Sequence, residues 1–428
     1  MPATSVTADL LDQAGQLVSP FGVVSGTMTP NRERGLPDVF GCVAPIGSGQ
    51  PGIGPTADLV LSHNAGGLAV ADAGLAKLVA IAEGAERYAG RFHAALKPAT
   101  ATASALDGDV LDLARLPRCS PAELAAGCPV SPPDPSQPIR WVRGFDVRTG
   151  DPAWVPAVMA CYGLSPSSDA ERFHYRISTG CAAHFDPTEA LIRGICEVIE
   201  RDAIAVTWLQ RLPLPSIPAE QLTDSSRRIV AWAARHFMNA HLFDATTDMA
   251  VPTVYCLLVA PYDDQVRQVA GCASARTLQA AAEKALLEAI ATRRACHSRS
   301  GPEGAGGRWP MASPDRASAF DFLLEGARDR TATVGRPELP AGPRGALRWL
   351  LRSLERHDMQ VYGVDRTPPE VAAVGLTVMT VLIPDLQPMS LDRRAQFLAH
   401  RRLYSAPVSM GYVAHREEDL NPWPQPFL

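Results

Sequence analysis

Two periodicities take turns along this chain. Residues 139–147 and 154–159 are rich in β-branched and aromatic side chains and are joined through Thr149-Gly150-Asp151-Pro152, which predicts a hairpin. Residues 253–259 and 266–271 predict a second one, turning at Asp263-Asp264. Residues 346–356 repeat apolar side chains at helical spacing and predict an amphipathic helix, while 359–365 and 376–383 read as late strands. Proline and glycine cluster at 128–138, 300–314 and 337–344, which read as surface loops or linkers. These breaks divide the chain into 1–138, 139–300 and 301–428. Interleaved strands and helices with hairpins predict a mixed α/β fold with mixed sheets.

One layout occurs three times. A glycine is followed six positions later by a polar helix-start residue and eleven positions beyond that by a glutamate: Gly66–Asp72–Glu83, Gly180–Asp186–Glu197 and Gly271–Thr277–Glu288. Asp186-Pro187-Thr188-Glu189 places proline at a first helical position behind a capping aspartate, and Asp72 and Thr277 suit the same role. The expectation is three glycine-containing loops, each feeding a long helix.

Two of those helices carry Glu-x-x-Glu-Arg, at Glu83, Glu86 and Arg87 and at Glu197, Glu200 and Arg201. At about 100° per residue, glutamates three apart share a face, and Glu189 falls within about 80° of Glu197 and Glu200, with Arg193 between. Like charges on one face repel, and a merely solvated helix is better served by Glu–Lys pairs. Magnesium takes oxygen ligands and commonly joins one or two carboxylates to substrate phosphates. Arg87 and Arg201 suit phosphate oxygens, and glycine-led helix N-termini add N–H donors. The pattern sketches a nucleotide–Mg²⁺ site without a GxxxxGK[ST] loop. One such motif alone reads better as a charged, solvated face; two copies in one repeat with apolar flanks favour the site. The third helix offers only Glu288 and Arg293, with Glu283 read as facing solvent.

Composition narrows the classes. With 46% hydrophobic residues in 428, the chain can bury a large core. A net charge of -5 without a basic stripe disfavours a nucleic-acid partner. No apolar run approaches about 18 residues and the first residues lack signal-peptide character, so the expected location is cytoplasmic, with no membrane partner. Nine scattered cysteines without a CxxC pair read as reduced core thiols rather than a zinc site.

From about Leu17 onward the chain resembles the YcaO family. The residues carrying this are LVSPFGVVSG, GGLAVADAGLAKLVAIAEGAERYAGRF, AGCASARTLQAAAEKALLEAIATRRA and, most specifically, STGCAAHFDPTEALIRGICEVIERDAIAVTWLQRLPLP. The resemblance implies a YcaO-type fold with the three repeated units around an ATP site. It implies Mg²⁺-ligand roles for Glu83, Glu86, Glu189, Glu197 and Glu200. It implies phosphate contacts for Arg201, Arg87 and Arg293, with Glu288 beside them. Three positions depart from the family pattern: Val79 replaces a serine, Ala65-Gly66-Gly67 replaces a Gly-Lys-Gly loop, and Ala291 replaces a glutamine.

The ending, Asn421-Pro422-Trp423-Pro424-Gln425-Pro426-Phe427-Leu428, resembles the PxPxP tail of the azoline-forming branch. Alternating prolines make a stiff, extended rod. The resemblance implies that Pro422, Pro424 and Pro426 present the Leu428 carboxylate as general base. The implied activity is ATP-dependent cyclodehydration of Cys, Ser or Thr in a ribosomal precursor peptide. The implied partners are that peptide, an E1-like leader-binding subunit and, as an optional third component, a flavin-dependent azoline dehydrogenase, in a hetero-oligomer or homodimer. Thioamide or macrocyclic amidine formation, and a non-catalytic scaffold, stay open as alternatives.

Overall fold

The computed structural model describes residues 3–30, 35–36, 38–47, 64–91, 96–298, 314–326, 331–332, 335 and 337–427. In chain order the named elements begin with α1 (Ala3–Gly15), β1 (Val39–Pro45), β2 (Asn64–Val70), α2 (Ala73–Arg91), β3 (Ala99–Ala101) and β4 (Asp109–Val110). There follow α3 (Pro121–Ala125), β5 (Ile139–Asp146), β6 (Pro152–Pro156), α4 (Ala157–Ala160), β7 (Cys181–His184) and α5 (Pro187–Leu209). The next are α6 (Asp224–Arg235), β8 (Asn239–Asp244), β9 (Thr253–Val259), β10 (Gln268–Ser274), α7 (Leu278–Ser298) and α8 (Asp321–Gly326). The last are α9 (Pro343–Glu355), β11 (Tyr362–Asp365), α10 (Pro369–Ala372), β12 (Thr377–Leu382) and α11 (Arg402–Ser409).

The chain divides into two compact units, each discontinuous in sequence. The first comprises Met1–Leu116, Ser131–Ile195 and His357–Pro384; the second comprises Pro117–Val130, Cys196–Arg356 and Asp385–Leu428. Within the first, β1 and β2 form an antiparallel ribbon, and a mixed sheet runs β4-β6-β5-β11-β12-β7 with β3 added beside β5. Only β4 and β6 pair in parallel among the described strands. Trp141, Val155, Leu111 and Phe173 form the centre of one core cluster, and the Trp141 indole N–H donates to the Ala101 carbonyl at 3.0 Å. A second cluster packs α2 through Ala80, Ile81, Ala85 and Ala89 among Val24, Ala44, Ala65 and Val378. No helix among the described residues is long and apolar enough to cross a membrane.

The second unit holds the antiparallel sheet β10-β9-β8. β10 is buried along its whole length and β9 along all but Val259, and α7 packs on both strands. This explains why β9 reads as a continuous apolar run rather than an alternating one.

The mixed α/β expectation holds, with most strands and helices near where the periodicities put them and several strand bounds shifted. The first hairpin turns through Gly150 at φ +81°, and its second strand stops at Pro156 because residues 157–160 coil into α4. The second hairpin begins its return at Gln268, later than expected. The Asp263 carboxylate accepts from the Gln265 and Val266 N–H groups, both at 2.9 Å, and so holds that stretch in a turn.

All three predicted N-caps form. Asp72 accepts from Leu75 N–H at 2.8 Å, Asp186 from Thr188 N–H at 2.8 Å, and Thr277 from Ala280 N–H at 3.1 Å. Of the three glycine loops expected before the helices, only the one at Gly180 is a turn. Gly66 lies inside β2 and Gly271 inside β10, while Gly180 sits at φ +85° immediately before β7. Packing gives the reason at Gly271 and at Gly67, while Gly66 itself has open space. A Cβ on Gly271 would fall 2.4 Å from the Ala285 carbonyl oxygen, and one on neighbouring Gly67 would fall 2.0 Å from that of Ala76. Glycine there lets a helix lie directly on its strand.

Candidate functional site

The acidic motif of the first unit sits midway along α2. Glu83 turns one carboxylate oxygen to the Gly66 N–H at 2.8 Å, across to β2. Its other oxygen accepts from Arg87 one turn on, at 2.8 Å from Nε and 2.6 Å from Nη2. Glu86 lies close enough to Arg87 to act on its charge. Glu83, Glu86 and Arg87 are all half-buried.

The second motif lies on α5, with Glu197, Glu200 and Arg201 inside the second unit. Arg201 Nη2 is 3.3 Å from Glu197 and its Nη1 is 3.8 Å from Glu200. Glu200 accepts the Ser274 N–H at 2.7 Å, and Glu288 on α7 accepts the Cys272 N–H at 2.9 Å. Two helices therefore each aim a glutamate at the backbone of β10. Burial pushes the Glu200 carboxyl up to about 7, and the negative charge of Glu288 adds to it against the pull of Arg201. Glu288 is raised by burial as well. Arg201 Nε is buried without a hydrogen-bond partner.

Such a set fits a magnesium-bound phosphate. Among the described residues no three His, Cys, Asp or Glu side chains form a ready-made ion cage. Magnesium does not need one, since it takes one or two carboxylates and completes its shell with phosphate and water. Crowded, partly desolvated carboxylates lose their mutual repulsion to a divalent cation, and the spare Arg201 Nε suits a phosphate oxygen.

The remaining predicted residues lie elsewhere. Glu189 is in the first turn of α5, within electrostatic reach of His184. Arg193, expected between the glutamates, is exposed. Arg293 is engaged at the β9–β10 turn, where it donates to the Asp263 carboxylate and the Val266 carbonyl. Glu283, expected to face solvent, accepts from the Ser225 hydroxyl on α6.

The proline-rich tail is packed into the second unit. The Asn421 N–H donates to the Leu209 carbonyl at 2.9 Å, and the Trp208 indole N–H to that of Trp423 at 2.9 Å. Pro422 is exposed, Pro424 half-buried and Pro426 buried. The Phe427 ring meets Tyr255 edge to face, with centroids 5.4 Å apart. Tyr255 is fully buried, its hydroxyl has no hydrogen-bond partner, and burial together with Cys272, Cys256 and Glu288 pushes its pKa up. Leu428 lies outside the described residues.

Two features escaped the sequence reading. The N–H groups of Ser274 and Cys272 are backbone donors with no side-chain signature. Asp202, directly after the second Glu-x-x-Glu-Arg, is fully buried and binds Arg402 rather than the glutamate face.

Residues 71–387 match the family model described as YcaO cyclodehydratase, ATP- and Mg²⁺-binding. The chain belongs to the YcaO family. A protein from Rhizobium leguminosarum bv. trifolii, described as uncharacterised and in the tfuA 3′ region, is 29% identical over 154 residues, 35% of this chain and 34% of its own length. A heterocyclase solved in complex with substrate and cofactor superposes with a TM-score of 0.84 at 18% identity, covering 98% of this chain and 57% of that one. This chain thus spans little more than half of that heterocyclase and about a third of the Rhizobium protein. YcaO from Methanopyrus kandleri, bound with AMPPCP and Mg²⁺, superposes with a TM-score of 0.65 at 16% identity, over 89% of this chain and 91% of that one. These structural likenesses establish a shared fold.

Proposed function

We propose that this chain is the catalytic subunit of an ATP-dependent cyclodehydratase that converts Cys, Ser or Thr of a ribosomal precursor peptide to thiazolines or oxazolines. The observation that carries the reading is the second unit's acidic cluster with the tail docked beside it: Phe427 packs on Tyr255, and Tyr255 lies within electrostatic reach of Glu288. The proposed ATP-site glutamate Glu288 and the proline-rich segment both bear on Tyr255, which supports this reading.

Glu197 and Glu200 of the second unit are proposed magnesium ligands, and so are Glu83 and Glu86 of the first. Arg201 and Arg87 are the proposed phosphate contacts, and Glu288, within electrostatic reach of Arg201, addresses the same strand, β10, as Glu200. Bound ATP–Mg²⁺ supplies an electrophilic phosphoryl group. The peptide side chain attacks the preceding backbone carbonyl carbon, and its proton passes to the Leu428 carboxylate, positioned by the three tail prolines. The former carbonyl oxygen takes the phosphoryl group and departs as phosphate, so the peptide loses one water per ring while ATP becomes ADP. Arg201 offers fixed positive charge where phosphoryl charge develops. Peptide delivery requires leader recognition, which we assign to an E1-like partner subunit; oxidation of the rings to azoles would fall to a flavin-dependent dehydrogenase.

The test combines purified protein, a candidate leader-binding E1-like subunit and a Cys/Ser/Thr-rich precursor peptide with ATP and Mg²⁺. The expected result is ATP-dependent loss of one water mass per ring. Exchange of oxygen for sulfur would assign thioamidation instead, and no ATP turnover would assign a scaffold role.

A further inference from the structure

Cys119 and Cys128 flank the five-residue helix α3, and both its ends are capped. At the start, the Ser120 hydroxyl accepts the Glu123 N–H at 3.2 Å while the Glu123 carboxylate accepts the Ser120 N–H at 2.8 Å. Pro121 occupies the first helical position. At the end, Gly127 takes φ +84°, its N–H donates to the Leu124 carbonyl at 3.2 Å and the Cys128 N–H donates to the Glu123 carbonyl at 3.1 Å. That is a glycine-terminated cap with paired backbone bonds. A helix this short, stopped this firmly, returns the chain to its starting point. The Cys119 and Cys128 sulfurs come to 3.2 Å, with both thiols reduced.

The surroundings favour a sulfur–sulfur bond over a metal site. Among the described residues no further His, Cys, Asp or Glu joins the pair as an ion cage. Both cysteines are partly exposed, whereas Cys42, Cys161, Cys181, Cys256, Cys272 and Cys296 are buried. The frame around them is stiff. The buried Glu123 carboxylate also accepts from the Gln396 N–H at 2.5 Å and the Leu398 N–H at 2.8 Å, and the Ala399 N–H donates to the Arg118 carbonyl at 3.1 Å. Thiols already in contact on a rigid frame lose little freedom on joining.

We propose that Cys119 and Cys128 are a redox-modifiable pair that closes to an intramolecular disulfide on exposure to a low-molecular-weight disulfide such as oxidised glutathione. One thiolate attacks oxidised glutathione and releases the first glutathione thiolate. The second cysteine attacks the resulting mixed disulfide and releases the other. Two protons and two electrons leave the pair, and oxidised glutathione is reduced to two glutathione molecules. Closure staples the base of Pro117–Val130, the segment that the second unit takes from between two segments of the first. It also fixes Glu123 against residues 396–398. Burial and the Cys128 contact raise the Cys119 pKa, so exchange is slow near neutral pH and faster in alkali.

The experiment incubates the full-length native protein across ratios of oxidised to reduced glutathione, quenches with an alkylating agent and maps tryptic peptides by mass. No lysine or arginine lies between Cys119 and Arg140, so both cysteines fall on one peptide. The expected product is that peptide lacking two hydrogens and unalkylated, with the count of nine thiols falling by two and returning on reduction. Cys119→Ser and Cys128→Ser should each trap one glutathione on the remaining cysteine. Wild-type protein that keeps both thiols alkylatable, that holds stable glutathione adducts on them, or that oxidises first at Cys196 overturns the proposal.

Discussion

Asp202 and Arg402 form a fully buried, two-pronged ion pair across 200 residues of sequence, at 3.0 Å from Nε to Oδ1 and 2.7 Å from Nη2 to Oδ2. Asp248 completes a triad on the other edge of the guanidinium, at 2.8 and 2.6 Å, and Gln387 N–H donates to Asp202 at 2.9 Å. Two carboxylates and one cation leave no bonding face of Arg402 idle. The network ties the residue that follows the second acidic motif to the segment that precedes the tail.

Breaking this pair strands a buried charge. Asp202→Asn or Arg402→Met should each lower unfolding free energy by about 3–5 kcal/mol. Denaturant midpoints measure this, and a change within error would show that the network contributes nothing net.

Glu200→Gln keeps the shape and removes the charge. It should weaken Mg²⁺-dependent nucleotide binding by about tenfold or more. Calorimetric titration of AMPPCP with and without Mg²⁺ reads this directly; unchanged affinity would remove Glu200 from the ligand set.

The tail separates structure from chemistry. Phe427→Ala empties a buried site against Tyr255 and should destabilise by about 3–5 kcal/mol. Removing Leu428 alone should leave folding and nucleotide binding intact and abolish ring formation. Ring formation at the wild-type rate would reject the terminal carboxylate as base.

Glycine spacing makes a steric prediction. Gly67→Ala and Gly271→Ala push a methyl group into helix backbone and should cost about 1–3 kcal/mol each. Gly66→Ala meets nothing within 4 Å and should be milder. Thermal unfolding of the three variants compares them, and equal losses would refute close packing as the reason for these glycines.

Buried histidines and bonded carboxylates both make the fold sensitive to acid. Burial first, and then the Arg402 guanidinium, hold the His400 imidazole down at about 3, below its ordinary 6.5. A base whose folded pKa is depressed stabilises fully above pH 6.5 and loses that contribution as pH falls toward 3. Burial alone would raise the Glu171 carboxyl; bonds from Arg140 and Ser167 overcome this and hold it at about 2. Its contribution is present above pH 4.5 and is lost below it. Denaturant midpoints should therefore begin to fall below pH 6.5, and His400→Gln should lessen the upper part of that decline, to which His174, held down at about 4 by burial, also contributes.

Much of the local structure was legible because it rests on local rules. Asp72, Asp186 and Thr277 cap as predicted, since capping needs only a short acceptor beside the first turn. Glu197, Glu200 and Arg201 share a face because helix periodicity puts them there. The glycines misled as loops because a close strand–helix contact and a turn ask for the same residue. Cys119 and Cys128 look unrelated in sequence, and only the two caps of α3 bring their sulfurs together.

The sequence by itself determined the three long helices, their caps, the acidic motifs and the family, while it mistook for loops the strand positions of Gly66 and Gly271. Periodicity, capping chemistry and motif spacing act over a few residues, within the reach of a reader of one chain. The tertiary structure alone decided that Glu200 and Glu288 address the same strand, that Arg402 meets Asp202, and that the tail is buried against Tyr255. Those contacts join residues far apart in the chain. They are selected by packing and by the cost of leaving a buried charge or N–H unpaired, which no local pattern records.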